Sequence, residues 1–259
     1  MKNMKRMKII RAMDNARFTI NDVETEKKMI GVLGGMGPLA TQLFYGMVIS
    51  NTDAQQDQDH IDMIILNHAT LPDRTKSLLS HNTQLLYSEL LKDCLFLEKS
   101  GVSYIAMPCN TAHFFVDKLQ AEIKIPIINM IYEAVKYVKK IKGEGTKIGI
   151  LATDGTIKLG LYQAEMKKEG LLPVIPSEKN QKHIMEIIYD GIKGNGEIKR
   201  DGFKEIEEEF LDEGCKCVIM GCTELSCYMN IFSLSREFYI DAMKSLALKV
   251  ITAAGGRLK

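Results

Sequence analysis

The sequence predicts an α/β protein with mainly parallel sheets, folded as two similar halves. Three observations carry that prediction. Short apolar runs alternate with helix-length segments along the 259 residues. The order of elements restarts past the middle of the chain. A cysteine follows a strand at matching places in the two passes.

Taken in order, residues 29–33 form an apolar run that ends in glycines and read as a strand. Residues 39–52 read as a helix, with Pro38 suited to its first turn. A strand at 62–67 follows, then a helix at 84–99 closed by Gly101. Residues 102–107 are a strand and 111–122 a helix. Pro126 leads into a short strand at 127–129, and the next helix runs to Lys140. The order then begins again: strand 147–151, helix 159–169, strand 173–175, helices 182–193 and 203–213, strand 217–220. A last helix at 240–254 is expected to return to the first half.

The restart is visible in the residues. Gly31-Val32-Leu33 resembles Gly149-Ile150-Leu151, each after an isoleucine. Gly101 precedes Cys109 by eight residues, and Gly214 precedes Cys222 by the same eight. Gly31 to Cys109 spans 78 residues and Gly149 to Cys222 spans 73. The prediction is therefore two Rossmann-like domains related by a pseudo-twofold, with the active site in the cleft between them. The first covers 29–142 and the second 143–239, with the glycines at 143 and 145 marking the boundary. The C-terminal helix, 240–259, packs back on the first domain, and 1–28 is a solvated N-terminal extension.

Composition narrows the function classes. Hydrophobic residues make up 46% and charged residues 26%, the profile of an ordinary globular protein. A net charge of +1 gives no broad footprint for nucleic acid or a membrane surface. No apolar run reaches the roughly 20 residues of a membrane-spanning helix. The first 28 residues lack the apolar core of a secretory signal. With six cysteines and no export signal, a cytoplasmic location with free thiols is expected rather than a disulfide framework.

Cys109 and Cys222 stand apart from the other four because each sits just past a strand. Ligands of parallel sheets bind beyond the carboxyl ends of the strands. Each cysteine is followed by residues able to cap a helix, Asn110-Thr111 and Thr223. Unpaired N–H groups and the positive dipole end there attract carboxylates and lower a thiol pKa. Two thiols on opposite faces of one carbon suit proton removal on one side and proton return on the other. Cys94, Cys215, Cys217 and Cys227 read as small buried hydrophobes. The spacing of the last four cysteines matches no common zinc pairing, so no metal is expected.

Gly35-Met36-Gly37-Pro38-Leu39-Ala40 fits a dinucleotide-binding glycine loop. Such a site needs an acid at the end of the second strand, where this chain has Asn67-His68. No nucleotide cofactor is expected, and the glycines instead let backbone N–H groups approach the substrate. His113, four residues after Cys109, either tunes the thiol or, the favoured reading, anchors the helix by a hydrogen bond. Glu224 either influences Cys222 or stabilises a helix N-terminus.

At these residues the chain resembles the aspartate/glutamate racemases. The matching strings are Gly34-Gly35-Met36-Gly37-Pro38, Pro72-Asp73-Arg74-Thr75, Pro108-Cys109-Asn110-Thr111-Ala112-His113 and Gly221-Cys222-Thr223-Glu224. The resemblance implies racemisation without pyridoxal phosphate or any other cofactor, with Cys109 and Cys222 as the acid/base pair, and a homodimer. It implies Asn110, Thr111 and Thr223 around the α-carboxylate and amine of an acidic amino acid. It implies Arg74 on the side-chain carboxylate, with Lys193 as a second cation. Arg supplies a bidentate fork and Lys a point charge. Met36 and Gly37 of the glycine loop, Ala112, and Thr153 in the equivalent loop of the second half complete the expected substrate contacts. Two other functions share these residues: an isomerase or decarboxylase of small dicarboxylates, and an amino-acid-binding protein without turnover.

Overall fold

A computed structural model describes residues 27–194, 196–197 and 202–259. The predicted extension lies outside the described residues, except for Lys27 and Lys28. Two four-stranded parallel sheets organise the rest. The first has β1 (Ile30–Gly34), β2 (Met63–Asn67), β3 (Tyr104–Ala106) and β4 (Ile127–Ile128), in the order β2-β1-β3-β4. The second has β5 (Lys147–Leu151), β6 (Leu172–Val174), β7 (Cys217–Met220) and β8 (Tyr239–Asp241), in the order β6-β5-β7-β8. The two orders are the same, so the repeat seen in the sequence is a repeat of topology. Of the four inner strands, β1 and β7 are buried throughout, as expected of parallel strands covered on both faces.

The helices are α1 (Pro38–Asn51), α2 (Arg74–Leu79), α3 (Gln84–Lys99), α4 (Val116–Glu122) and α5 (Met130–Lys142), then α6 (Asp154–Lys158), α7 (Leu161–Lys168), α8 (Glu178–Glu186), α9 (Phe203–Asp212), α10 (Thr223–Phe232) and α11 (Ala242–Ala253). Equivalent glycines on β1 and β5 let neighbours close on the sheets. A Cβ at Gly31 would lie 2.9 Å from Val102 Cγ2, and one at Gly149 would lie 2.7 Å from Phe210 Cδ1. The largest core joins Ile30 and Val32 of β1 to Ile148 and Ile150 of β5 through α5, α7 and α11. Two further cores lie under α3 and α4 on the first sheet and under α8 and α9 on the second.

Several elements differ from the sequence reading. Helix α11 begins at Ala242, because Tyr239–Asp241 pairs with β7 as an unpredicted strand. Asp241 caps α11, accepting from the N–H groups of Met243 (2.9 Å) and Lys244 (3.3 Å). The helix read at 111–122 starts as a 3₁₀ turn, Thr111–Phe115. The helix read at 182–193 starts earlier, at Glu178, and ends in a π-helical turn, Ile187–Lys193. The short helices α2 and α6 are absent from the elements that the sequence predicts. They are capped by Asp73 and Thr153 rather than marked by apolar periodicity. Among the described residues, no helix is long and apolar enough to cross a membrane.

Candidate active site

Cys109 lies three residues past β3, on a turn in which its N–H bonds Met107 O at 2.8 Å. His113 fixes that turn. Its Nδ1 donates to the Cys109 carbonyl (2.8 Å), and its Nε2 accepts from the Met130 N–H (2.9 Å), which ties the turn to the start of α5. Burial lowers the His113 pKa to about 4, so the ring is neutral, as this pair of bonds requires. The helix-anchor reading of His113 describes this geometry.

Cys222 follows β7, the strand equivalent to β3, and is the N-cap of α10. Gly221 N–H bonds Leu151 O at 2.7 Å and holds this turn to the end of β5. The Cys222 thiol donates to Glu224 Oε2 at 2.9 Å, and the Thr223 hydroxyl donates to the same oxygen at 3.2 Å. Burial first, then the Glu224 charge, push this thiol well above its usual range, against the pull of Lys193. The sequence led to the opposite expectation for a thiol at a helix N-terminus. Desolvation and an adjacent carboxylate outweigh the dipole here.

The two cysteines open onto one small space. Of the predicted contacts, Met36, Arg74, Asn110, Thr111, Thr153, Lys193 and Thr223 line it beside Cys109 and Cys222. Gly37 and Ala112 do not. Ala112 is fully buried in the core of the first sheet. A Cβ on Gly37 would find Glu224 Oε1 at 3.9 Å, so the glycine loop passes close to the second half. The Gly35 turn needs its glycine: φ is +88°, and a Cβ would fall 2.4 Å from the His68 carbonyl carbon.

Charge in the cavity is balanced. Burial works against the Arg74 guanidinium, but Cys109, Asp73 and Glu224 outweigh it and raise its pKa. Burial likewise works against Lys193, and Glu224, Cys222 and Tyr189 outweigh it. Lys193 Nζ lies 3.7 Å from Asp73 Oδ2, 3.9 Å from Glu224 Oε1 and 4.1 Å from the Tyr189 ring centre. The Tyr189 hydroxyl donates to Asp73 at 3.1 Å.

Neutral groups join the halves as well. Thr111 Oγ1 lies 3.0 Å from the hydroxyls of both Thr153 and Thr156, which are 3.2 Å from each other. Tyr162, fully buried on α7, donates its hydroxyl to Asn110 Oδ1. Asn110 Nδ2 is buried with no partner among the described residues, a donor left for a ligand. Asp73, Thr75 and Glu224 also line the cavity. Asp73 and Thr75 sit in the string around Arg74 and could have been drawn from it. Tyr162 and Tyr189 carried no sequence signal.

Two repeated parallel sheets, with equivalent strand ends meeting over a small polar cavity, define a two-part α/β protein with one site shared by its halves. The chain belongs to the Asp/Glu/hydantoin racemase family, whose sequence model matches residues 33–248. It is 28% identical over 228 residues to a broad specificity amino-acid racemase of Bacillus subtilis, covering 86% of this chain and 97% of that protein. It is 27% identical over 175 residues to a glutamate racemase of Persephonella marina, covering 65% of this chain and 64% of that one. Among solved structures it is similar to the Picrophilus torridus aspartate racemase, with a TM-score of 0.77 and 28% identity over 90% of this chain and 96% of that one.

Proposed function

We propose that the protein racemises an acidic amino acid, aspartate or glutamate, by a two-base 1,1-proton transfer that uses no cofactor. The observation that carries this reading is that Cys109 and Cys222 line one cavity from equivalent strands, together with Arg74 and Lys193. One cysteine takes the Cα proton as a thiolate. The other, as a thiol, returns a proton to the opposite face, and the configuration inverts. Donors around the α-carboxylate, Asn110 Nδ2 and the hydroxyls of Thr111, Thr153 and Thr223, stabilise the carbanionic transition state in this reading, which their presence in the cavity lining supports. Arg74 and Lys193 hold the side-chain carboxylate. The division of the chain near residue 142, with α11 covering the first half, belongs to the same proposal. So do a homodimer, from the family resemblance, and a reducing cytoplasm, supported by six unpaired cysteines.

A wider amino-acid range is the second reading. Asp73 and Glu224 already offset Arg74 and Lys193, so the cavity does not require an anionic side chain. The test is incubation with L-aspartate, L-glutamate and L-alanine separately in D2O, following chirality and α-deuteration together. Inversion with deuteration of the acidic substrates alone supports the first reading, and turnover of alanine at a similar rate supports the second. A folded, reduced protein that neither inverts nor deuterates any of the three would overturn both.

A further inference from the structure

Glu224 is paired with only one of the two cysteines. Its Oε2 accepts the Cys222 thiol proton at 2.9 Å, its Oε1 lies 3.9 Å from Lys193 Nζ, and the residue is 4% exposed. The group facing Cys109 is the Arg74 guanidinium, a cation. The pseudo-symmetric halves thus put an anion beside one thiol and a cation beside the other. We propose that Glu224 is the positioning residue that keeps the proton on Cys222 in the resting enzyme, which makes Cys222 the proton donor of the pair. This inference rests on the two-base reading above.

In the forward step the Cα–H bond breaks toward the Cys109 sulfur while the Cys222 S–H proton passes to the opposite face of the same carbon. No proton is gained or lost. The product form has its proton on Cys109 and a thiolate at Cys222 beside the Glu224 carboxylate, which disfavours it. Proton exchange with solvent then restores the resting form. Groups facing Cys222 from the packed elements are Lys193 on the π-helical turn and the Tyr162 hydroxyl on α7, while Arg74 at the start of α2 faces Glu224. Burial and Glu224 together hold the thiol protonated, in line with the geometry.

Enantiomers have equal free energies in water, so kcat/KM must be the same from either side. The asymmetry therefore cannot show in that ratio. It shows in the alkaline limb of the pH profile, where the second thiol proton is lost.

The experiment compares wild type with Glu224→Gln and Glu224→Asp by two readouts. The first is the pH midpoint of iodoacetamide alkylation at Cys222, mapped by peptide mass. The second is the kcat/KM profile from L- and D-aspartate. Removing the charge in Glu224→Gln should lower the Cys222 midpoint by about one pH unit or more and carry the alkaline limb down with it. Glu224→Asp, which keeps the charge, should hold both nearer the wild-type values. An unchanged alkylation midpoint in Glu224→Gln overturns the proposal even if racemisation is normal. A lowered midpoint in a protein that racemises no amino acid would instead keep the Glu224–Cys222 assignment and remove the function reading.

Discussion

Replacing Tyr162 by Phe deletes a single oxygen from a fully buried ring and tests how the second half holds Asn110 in place. Phe fills the same space, so no cavity term enters. What is lost is the hydrogen bond to Asn110 Oδ1, with a net contribution of about 0.5–1.5 kcal/mol. The stranded carboxamide oxygen adds a desolvation penalty of about 1–3 kcal/mol if water does not reach it. Since Asn110 Nδ2 already lacks a partner among the described residues, the whole side-chain amide would then be unsatisfied. The expected loss is about 2–3 kcal/mol, read as a lower urea midpoint at constant slope. At roughly 2–4 °C per kcal/mol for a chain of this size, the melting temperature falls by about 4–12 °C. Freed from Tyr162, the amide can turn, and KM for the substrate should rise by about tenfold, equivalent to about 1.4 kcal/mol. Stability within about 0.5 kcal/mol of wild type, with KM unchanged, would refute the idea that Tyr162 orients Asn110.

Either Cys109→Ala or Cys222→Ala should abolish racemisation while ligand binding, followed by calorimetry, persists; full activity in either variant sinks the two-base reading. Arg74→Lys should lower kcat/KM for aspartate by about 10–100-fold, because a point charge cannot reproduce a bidentate fork; steady-state kinetics decides. His113 gives a pH signature. Its folded pKa of about 4 lies below the ordinary 6.5, so the unfolded state binds the proton first as pH falls. Stability contributed by the neutral ring is present above pH 6.5 and is lost progressively down to about pH 4, by roughly 3 kcal/mol. Denaturation curves for wild type and His113→Gln across that window should converge toward low pH; a constant gap would reject this account. Gly35→Ala should lose at least about 3 kcal/mol or fail to fold, since the added Cβ meets the His68 backbone at 2.4 Å in a positive-φ turn; a soluble variant with wild-type melting would contradict the geometry.

Much of this fold could be read from local pattern. The strands at 147–151 and 217–220 and the helix at 84–99 have the bounds that apolar runs and closing glycines suggested. What pattern missed was set by pairing or capping. Strand β8 exists because β7 offers it an edge, and α2 and α6 exist because Asp73 and Thr153 cap them. In the site, residues next to the two cysteines were legible from chain proximity. Tyr162 and Tyr189 hold the cavity residues Asn110 and Asp73 from helical segments whose register no single sequence exposes. Glu224 was legible as a neighbour of Cys222, but the direction of its influence was not. That depends on burial and on which oxygen meets the thiol, and both are three-dimensional facts.

The return of α11 sets an order of events during synthesis. Leu246, Ala247, Val250 and Ile251 share one core with Ile30 and Val32 of β1, and the chain end ties back where Thr52 bridges Leu258. A nascent chain that has just completed α5 at Lys142 still lacks the helix that seals this face. At ribosomal speeds of about 5–20 residues per second, the missing cover arrives roughly 6–20 s later. Through that interval the first sheet carries an open apolar flank, the kind of surface on which chaperones act and truncated fragments aggregate. The two halves repeat each other in topology, but neither is finished until the last turn of helix has left the ribosome.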